Sequence, residues 1–304
     1  MFLFIKYKKI MDRVHQIINK YPDGSSYAEI GPDFGSIITH RVNSYEDLWH
    51  LNQIVDAYYN RNNRKPTVII PNLIDAQADR RFANNQSSGL KLVCKFLNSM
   101  PANFKVFHPH NPEVVEALMD NVEIIDNTDY IEKVLNYISG NYWKGDYQKM
   151  EGNLILMSSD AGGFKPLMKL CDKIDWQGET YSASKYRANY GSDMKLYQEI
   201  DRQDFGGKDI LIVDDICVYG GTFKGLANLL KDRNCGKLYL AVSHMTVQNL
   251  EEEPVTNYFD KVFTTNSKFD RYVSRWTTVG NEYETVPTNL EIIKLFAYSY
   301  LTII

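Results

Sequence analysis

Residues 209–222 read DILIVDDICVYGGT, and this stretch decides the fold class. Its apolar run, residues 210–213, is continuous and has the length of a strand, which is typical of a parallel strand covered on both faces. Asp214 and Asp215 follow at the carboxyl end of that strand. Open α/β sheets bind ligands beyond the carboxyl ends of their strands, so we expect the two carboxylates to face a ligand.

A glycine-rich turn completes the same stretch. Gly220 and Gly221 permit a positive φ and close backbone approach, so successive N–H groups can point at one phosphate. Thr222 can add a hydroxyl donor and cap a helix that begins near Phe223, bringing the positive end of its dipole to the same anion. Because carboxylates suit sugar hydroxyls, the stretch predicts a site for a phosphorylated ribose. A plain strand–turn–helix connection is the alternative.

Size and charge restrict the class of protein. The chain has 304 residues, of which 44% are hydrophobic, and this is enough for one large or two medium domains with their own cores. The formal net charge is −4 at pH 7, and Lys and Arg are scattered along the chain. We therefore expect no nucleic acid among the partners.

The cysteines and the start of the chain bear on the compartment. Cys94, Cys171, Cys217 and Cys235 lie far apart and form no CxxC pair, which is typical of reduced thiols in a cytosolic protein. The opening segment MFLFIKYKKIM is too short for a membrane span and is not followed by a small-residue cleavage site. We interpret it as a first strand and expect a cytoplasmic protein with no membrane partner.

Short apolar runs alternate with amphipathic stretches, which is the βαβ pattern of a parallel sheet. The predicted strands are 67–70, 105–107, 122–125, 154–157, 210–213, 238–242 and 262–264. The predicted helices are 45–61, 88–99, 112–119, 165–173 and 223–232.

The polar, aromatic stretch 139–152 breaks this alternation and is the predicted domain boundary. Each half contains βα units with ligand-like residues at strand ends, so we expect two similar α/β domains, residues 1–140 and 141–288. Each would be a mostly parallel sheet flanked by helices, with the site in the cleft between them. The apolar, helix-like segment 289–304 is expected to pack back on the first domain.

The stretch LILMSSDAGGFKPL repeats the pattern of residues 209–222. A strand ends in Ser158 and Ser159, Asp160 follows, and Gly162 and Gly163 introduce a helix. This order predicts a second anion-binding turn with a carboxylate beside it that is able to hold Mg²⁺. An ordinary β–turn–α connection is the alternative.

Three further stretches carry candidate ligand residues, and two of them follow predicted strands. His108 and His110 follow strand 105–107, where a histidine is more commonly a core or capping residue than a ligand. In IPNLIDAQADRRF, an amide and an acid could read an adenine edge while an arginine grips phosphates, or the loop could simply be solvated. In YSASKYRANYG, Lys185 and Arg187 lie two apart, so in an extended segment both cations face the same way. Paired cations suit a migrating diphosphoryl group, and a surface loop is the alternative.

These stretches, in this order, resemble the motifs of the PRPP synthases (ribose-phosphate diphosphokinases). DDICVYGGT resembles their ribose-5-phosphate loop, shared with type I phosphoribosyltransferases, and SSDAGG resembles their SPDxGG loop. IPNLIDAQADRR resembles their ATP loop, HPHNPEVVEAL the segment with their metal-binding histidine, and SASKYR their KRR flag. YPDGSSYAEI resembles the early F-x-DGE segment, which reaches ATP from a neighbouring subunit; VSHMTV and TTNS resemble late segments of the family.

The resemblance implies a role for each matching residue. Lys185 and Arg187 would stabilise the transition state, and His110 and Asp160 would bind Mg²⁺. ATP would be contacted by Asp23, Gln77, Asp79 and Arg80, and the diphosphate by Ala161, Gly162 and Gly163. The ribose would be contacted by Asp214 and Asp215, and its 5-phosphate by Val218, Tyr219, Gly220, Gly221 and Thr222. It also implies self-association, as a homo-oligomer such as a dimer or hexamer.

Several positions depart from the family pattern. Ser25 stands where a glutamate is expected, and Gln77-Ala78 replaces an Arg-Gln pair. Val218 replaces the third acid of the ribose loop, and Tyr219 replaces a small hydroxyl residue. The lost acid reduces repulsion toward a more anionic acceptor, and a tyrosine there could stack on a base.

The resemblance implies an enzyme that transfers the β,γ-diphosphoryl group of ATP to the anomeric hydroxyl of a ribose 5-phosphate unit. Ribose 5-phosphate is the simplest acceptor and gives PRPP and AMP for nucleotide synthesis. ADP-ribose is the alternative acceptor, which would serve NAD salvage. A phosphoribosyltransferase would need neither an ATP loop nor a flag, and a non-catalytic regulatory subunit would not need to keep Lys185, Arg187 and His110.

Overall fold

The structure is a computed structural model that describes residues 16–190, 193–246, 253–272, 274–278, 281–285, 287–298 and 301–303. The first strand expected within residues 1–11 lies outside these described residues.

Seventeen strands are present in the described residues. They are β1 (Gln16–Lys20), β2 (Ser26–Ile30), β3 (Ile37–Thr39), β4 (Thr67–Ile70), β5 (Asn103–Phe107), β6 (Val122–Ile125), β7 (Leu154–Ser158), β8 (Thr180–Ser182), β9 (Ser184–Tyr190), β10 (Asp193–Glu199), β11 (Asp209–Cys217), β12 (Leu238–Met245), β13 (Lys261–Thr265), β14 (Ser274–Thr278), β15 (Asn281–Thr285), β16 (Leu290–Ile293) and β17 (Leu301–Ile303).

Seven α-helices and a short 3₁₀ helix, Val255–Tyr258, accompany the described strands. The α-helices are α1 (Tyr45–Asn62), α2 (Gly89–Asn98), α3 (Pro112–Leu118), α4 (Thr128–Tyr142), α5 (Tyr147–Asn153), α6 (Ala161–Lys173) and α7 (Gly221–Lys231). Across the part of the chain that the structure describes, every helix is too short or too polar to cross a membrane.

The chain divides into two compact units, residues 1–126 with 296–304, and residues 127–295. The first unit contains the parallel sheet β3-β4-β5-β6 and the three-stranded sheet β17-β1-β2. Its core includes Leu51 and Ile54 of α1 and Val68 and Ile70 of β4, all fully buried.

The second unit contains the six-stranded parallel sheet β16-β13-β12-β11-β7-β8. Strand β11 is central and apolar on both faces, as its sequence predicts. Ile210 and Ile212 belong to one core, while Leu211 and Val213 belong to another on the opposite face. The unit also contains the antiparallel pairs β9–β10 and β14–β15.

The sheet register fixes the carboxyl edge at which the predicted ligand residues lie. Strand β11 pairs with β7 as far as Val213, opposite Ser158. On its other side it stays paired with β12 as far as Cys217, opposite Met245. The chain of β7 turns away into α6, so the last residues of β11 extend past that neighbour. Asp214 and Asp215 therefore lie within the strand rather than after it.

The structure adds helix where none was predicted and corrects one predicted helix. The stretch 139–152 is largely helical and belongs to α4 and α5, because the apolar residues of α4 at 131, 134, 135 and 138 pack on the second unit. The segment 289–304 is not a helix: β16 pairs with β13 of the second unit, and β17 pairs with β1 of the first. The two compact units accordingly divide the chain elsewhere than the predicted domains 1–140 and 141–288 do.

Candidate active site

The turn after β7 is the first of the two predicted anion-binding turns, and it lies in the second unit. Asp160 is the N-cap of α6, and its Oδ1 accepts a hydrogen bond from the Gly163 N–H at 3.1 Å. Ala161 and Gly162 complete the first turn of the helix, so their N–H groups lie at its positive end. The predicted diphosphate residues therefore occupy a helix N-terminus with a carboxylate at its cap.

The turn after β11 forms the second. Gly220 has φ of +77° and is the N-cap of α7, so the helix begins at Gly221 rather than near Phe223. A Cβ at Gly220 would lie 3.0 Å from the Val255 Cβ, so both backbone conformation and close packing require glycine here. Thr222 lies within the first helical turn, so the expectation that it caps the helix is wrong.

A threonine of the neighbouring strand end holds this ribose-phosphate turn in place. The Thr246 Oγ1 donates a hydrogen bond to the Val218 carbonyl at 2.8 Å. The Thr246 N–H donates to the Cys217 carbonyl at 3.0 Å. Tyr219, by contrast, is 71% exposed. The backbone of the turn is thus fixed while its aromatic side chain projects to solvent.

A side-chain hydrogen bond joins the residue that follows β7 to the acidic pair within β11. The Ser159 hydroxyl donates to Asp214 Oδ2, and the Asp215 N–H donates to Asp214 Oδ1 at 2.8 Å. Burial, and then the charge of Asp215, raise the pKa of Asp214 despite these two hydrogen bonds. Repulsion between two such carboxylates is reduced when sugar hydroxyls donate to them or a cation lies beside them.

In the first unit, the predicted ATP loop contacts the histidine segment. The Asn111 Nδ2 donates a hydrogen bond to Asp79 Oδ2 at 3.0 Å, and the Asp79 side chain is only 6% exposed. Burial opposes ionisation of Asp79, but the hydrogen bonds from Asn111 and Arg80 and the charges of Arg80 and His110 lower its pKa. The charges of Arg80 and His110 are therefore close enough to act on the carboxylate of Asp79. Gln77 and His110 are exposed.

The early hairpin presents Asp23 at the turn between β1 and β2. Its Oδ1 accepts hydrogen bonds from the Ser25 hydroxyl at 2.6 Å and from the Ser25 N–H at 2.9 Å. These bonds lower the pKa of Asp23. Ser25, which departs from the family pattern, thus orients the aspartate within its own turn.

The predicted cation pair lies on β9. Its backbone is extended through residues 184–190, as the sequence predicts, and Lys185 and Arg187 pair across the hairpin with Gln198 and Leu196 of β10. The side chains of Lys185 and Arg187 lie outside the described residues.

Sequence reasoning missed Ser159 as a partner of Asp214, and it missed Asn111 and Thr246. Asn111 had a readable signal, because an asparagine directly before proline is a typical N-cap followed by Pro at N1, and this residue does cap α3. Ser159 and Thr246 act through contacts across strands, which a linear pattern does not indicate.

Candidate metal ligands are few in the described part of the chain. Among the described residues, no group of three or more His, Cys, Asp or Glu side chains is placed to hold one. Mg²⁺ typically takes one or two carboxylates together with substrate phosphates, and Asp160 is such a carboxylate beside an anion-binding turn. The residues of this turn fit a magnesium ion that arrives with a phosphate ligand.

Comparison with known proteins identifies the family. A model of the phosphoribosyl transferase domain matches residues 122–276. A ribose-phosphate pyrophosphokinase of Pyrococcus abyssi is 23% identical over 253 residues, 82% of this chain and 83% of that protein. The corresponding enzyme of Fusobacterium nucleatum is 24% identical over 232 residues, 75% of this chain and 69% of that protein.

A solved structure confirms the predicted α/β class. The crystal structure of phosphoribosylpyrophosphate synthetase from Mycobacterium smegmatis superposes with a TM-score of 0.66 at 16% identity, covering 94% of this chain and 89% of that one. Because the domain model spans just over half of the sequence, the chain belongs to the phosphoribosyl transferase domain family, within which it is a divergent relative of the ribose-phosphate pyrophosphokinases.

Proposed function

We propose that this protein transfers the β,γ-diphosphoryl group of ATP to the anomeric hydroxyl of ribose 5-phosphate, forming PRPP and AMP. The observation that carries the proposal is the hydrogen bond from Ser159 to Asp214. It joins the end of β7, whose chain continues into the N-terminus of α6, to the acidic pair of β11, whose chain continues into the N-terminus of α7. The two helix N-termini suit phosphates, and the acidic pair suits ribose hydroxyls. A ligand with a sugar between two phosphorylated positions matches this order of groups.

The second unit would hold the acceptor. Asp214 and Asp215 accept hydrogen bonds from the ribose hydroxyls, and the first turn of α7 binds the 5-phosphate through its N–H groups and dipole. The turn at Asp160 binds the diphosphoryl group as it arrives. Asp160 and His110 would hold Mg²⁺, which when bound neutralises charge on the phosphates.

The first unit would hold the nucleotide. Arg80 and His110 carry positive or protonatable groups beside Asp79, and Gln77 offers an exposed amide for a purine edge. Asp23, oriented by Ser25, would contact ATP bound by a neighbouring copy in an oligomer.

In the chemical step, the anomeric oxygen bonds to the β-phosphorus while the bond from that phosphorus to the α,β-bridging oxygen breaks. AMP leaves with the electron pair, and the hydroxyl proton passes to solvent. Lys185 and Arg187 would stabilise the charge that spreads over the transferring group. The protein otherwise contributes positioning of the reactants.

Product analysis tests this proposal. Incubation with Mg²⁺, ATP and ribose 5-phosphate is expected to yield AMP and PRPP in equal amounts, measured by mass spectrometry. ADP as the sole nucleotide product would contradict diphosphoryl transfer. Absence of any turnover would favour a regulatory subunit, and consumption of PRPP with a free base would favour a phosphoribosyltransferase.

ADP-ribose is a second candidate acceptor, favoured by the exposure of Tyr219. This ring is 71% exposed on the turn proposed for the 5-phosphate, where it could stack on the adenine of a substituted phosphate. Replacing Tyr219 by Ala should then raise KM for ADP-ribose roughly 5- to 150-fold, the range expected for base–aromatic stacking. Tyr219→Phe keeps the ring and should retain affinity. Equal small changes for both acceptors would leave ribose 5-phosphate as the substrate.

A further inference from the structure

We propose that Gln198 is a positioning residue that ties the β9–β10 hairpin, called here the flag hairpin, to the ribose-phosphate turn. The inference rests on the proposed function, because it concerns how Lys185 is placed for diphosphoryl transfer. The Gln198 Nε2 donates a hydrogen bond to the Thr222 carbonyl at 2.9 Å. Thr222 lies in the first turn of α7, whose N–H groups are proposed to bind the 5-phosphate.

The strand register of the flag hairpin places Gln198, which makes this hydrogen bond, opposite Lys185. Gln198 is the direct cross-strand partner of Lys185. Directly opposed residues of an antiparallel pair are held at a fixed separation by the ladder. A displacement of the first turn of α7 is therefore passed to the strand position that carries Lys185.

A glycine in α7 makes room for the amide. Gly225 lies one turn after Gly221, inside the helix, where glycine is less favourable than alanine. A Cβ at Gly225 would collide with the Gln198 Oε1. The sequence thus keeps a poor helix former at an exposed position of α7 where a methyl group would force the Gln198 amide to move.

The physical consequence is that binding of the 5-phosphate at α7 and positioning of Lys185 on β9 are coupled. When the 5-phosphate orders the N–H groups of the first turn of α7, Gln198 holds the flag hairpin against the same turn. Misplacing a group that acts on the transition state lowers the rate far more than it lowers ground-state affinity. We therefore expect loss of this contact to reduce kcat and to leave KM for ATP nearly unchanged.

Two substitutions break the contact from opposite sides. Gln198→Leu removes the donor, and Gly225→Ala displaces it by collision while improving helix propensity. Both variants should lose about tenfold or more in kcat, with KM for ATP within about twofold of wild type. The Tm of Gly225→Ala should equal or exceed that of wild type, so its loss of activity would not come from unfolding.

A matched control separates the contact from the general effect of glycine replacement. Gly140 lies in α4, is exposed, and would place a Cβ with nothing within 4 Å. Gly140→Ala should keep wild-type kcat. The double variant Gln198→Leu/Gly225→Ala should be no slower than Gln198→Leu alone, because both substitutions remove the same interaction.

Hydrogen–deuterium exchange gives a readout that does not depend on turnover. Adding ribose 5-phosphate to wild type should slow amide exchange in the flag hairpin as well as in α7. In Gln198→Leu, α7 should still be protected and the flag hairpin should not. Equal protection of the hairpin in both proteins, or wild-type kcat in both single variants, would overturn the inference. Coupled protection in a wild type that makes no PRPP would instead refute the proposed function and keep the coupling.

Discussion

Asn111 performs two tasks with one amide group. Its Oδ1 accepts from the Val114 N–H at 3.3 Å and so caps α3, while its Nδ2 donates to Asp79 at 3.0 Å. The residue that starts the helix after His110 therefore also holds the carboxylate of the predicted ATP loop. This contact depends on β4 and β5 being neighbours in the sheet.

Substitution of Asn111 separates the two tasks. Asn111→Ser retains a good N-cap but lacks the donor to Asp79, so we expect KM for ATP to rise about tenfold with little change in Tm. Asn111→Asp also retains the cap but places a second carboxylate against Asp79, so its KM should rise further. Steady-state kinetics with ATP and ribose 5-phosphate varied separately measure both effects. Unchanged KM for ATP in the two variants would remove Asp79 from the nucleotide site.

Asp214 makes the ligand-free protein sensitive to pH. Its pKa in the folded state is raised by burial and by Asp215. As pH rises, the unfolded chain therefore releases this proton first, near its ordinary pKa of about 3.9. The contribution of Asp214 to the free energy of unfolding is accordingly greatest below that value and falls until pH passes the raised pKa.

Replacing Asp214 by Asn should remove this dependence. The variant should have a higher Tm than wild type at pH 8 and a flatter profile between pH 4 and pH 8, measured by calorimetry without ligand, although it should bind ribose phosphates poorly. Asp204 is the matched control, because the Gly206 N–H and then Asn234 lower its pKa. Asp204→Asn should instead lose stability above pH 4. A Tm of Asp214→Asn below wild type at pH 8 would contradict the burial argument.

At the scale of elements, α6 and α5 begin in the same way. Asp160 caps α6 by accepting from Gly163 N–H at 3.1 Å, and Asp146 caps α5 by accepting from Lys149 N–H at 2.9 Å. Both are aspartates at helix N-caps in the second unit, but only the first follows a strand of the six-stranded sheet.

This similarity allows capping to be separated from function. Asp160→Ala and Asp146→Ala should each lower the free energy of unfolding by about 1 kcal/mol, measured by urea denaturation. Only Asp160→Ala should also lose diphosphoryl transfer, because only Asp160 is proposed to hold Mg²⁺. Loss of activity in both variants in proportion to stability would reduce Asp160 to a capping residue.

Sequence periodicity predicts the buried parallel strands well and the edges of the structure poorly. Strands β7 and β12 begin where the apolar runs place them, and every residue of both strands is buried, so their sequences are apolar on both faces. Helix α4 was missed although its apolar residues recur with helical spacing, since the surrounding aromatics and polar residues resemble a linker. Segment 289–304 was assigned to a helix because a short apolar run does not distinguish an edge strand from a helix.

In the candidate site, too, the sequence indicates some features and not others. The glycines and acids after β7 and β11 were readable because they are adjacent in sequence. The bonds from Ser159 to Asp214 and from Asn111 to Asp79 were not, since each depends on which strands become neighbours.

At the scale of the whole molecule, the proposed substrates belong to different units. The predicted nucleotide residue Asp79 and the predicted metal ligand His110 lie in the first unit, and Asp160, Asp214 and Gly220 lie in the second. Ligand-induced protection should therefore be separable along the chain.

Hydrogen–deuterium exchange with one ligand at a time measures this separation. A non-hydrolysable ATP analogue should slow exchange in residues 75–82 and 107–114, and ribose 5-phosphate should slow exchange in residues 158–163 and 214–222. Inorganic sulfate at the same ionic strength serves as the control for general anion effects. Protection of residues 75–82 by ribose 5-phosphate alone would reverse the proposed assignment.

The parallel pairing of β1 with β17 has a consequence for synthesis in the cell. Gln16 lies opposite Leu301 in this sheet, so the first unit is closed by residues that the ribosome adds only after the whole of the second unit. The whole of residues 127–295 emerges before the partner of β1 exists. During that interval, β1 is an unprotected edge to which other nascent chains can add. The second unit is contiguous and can fold during translation, whereas the first must wait until β17 has been synthesised.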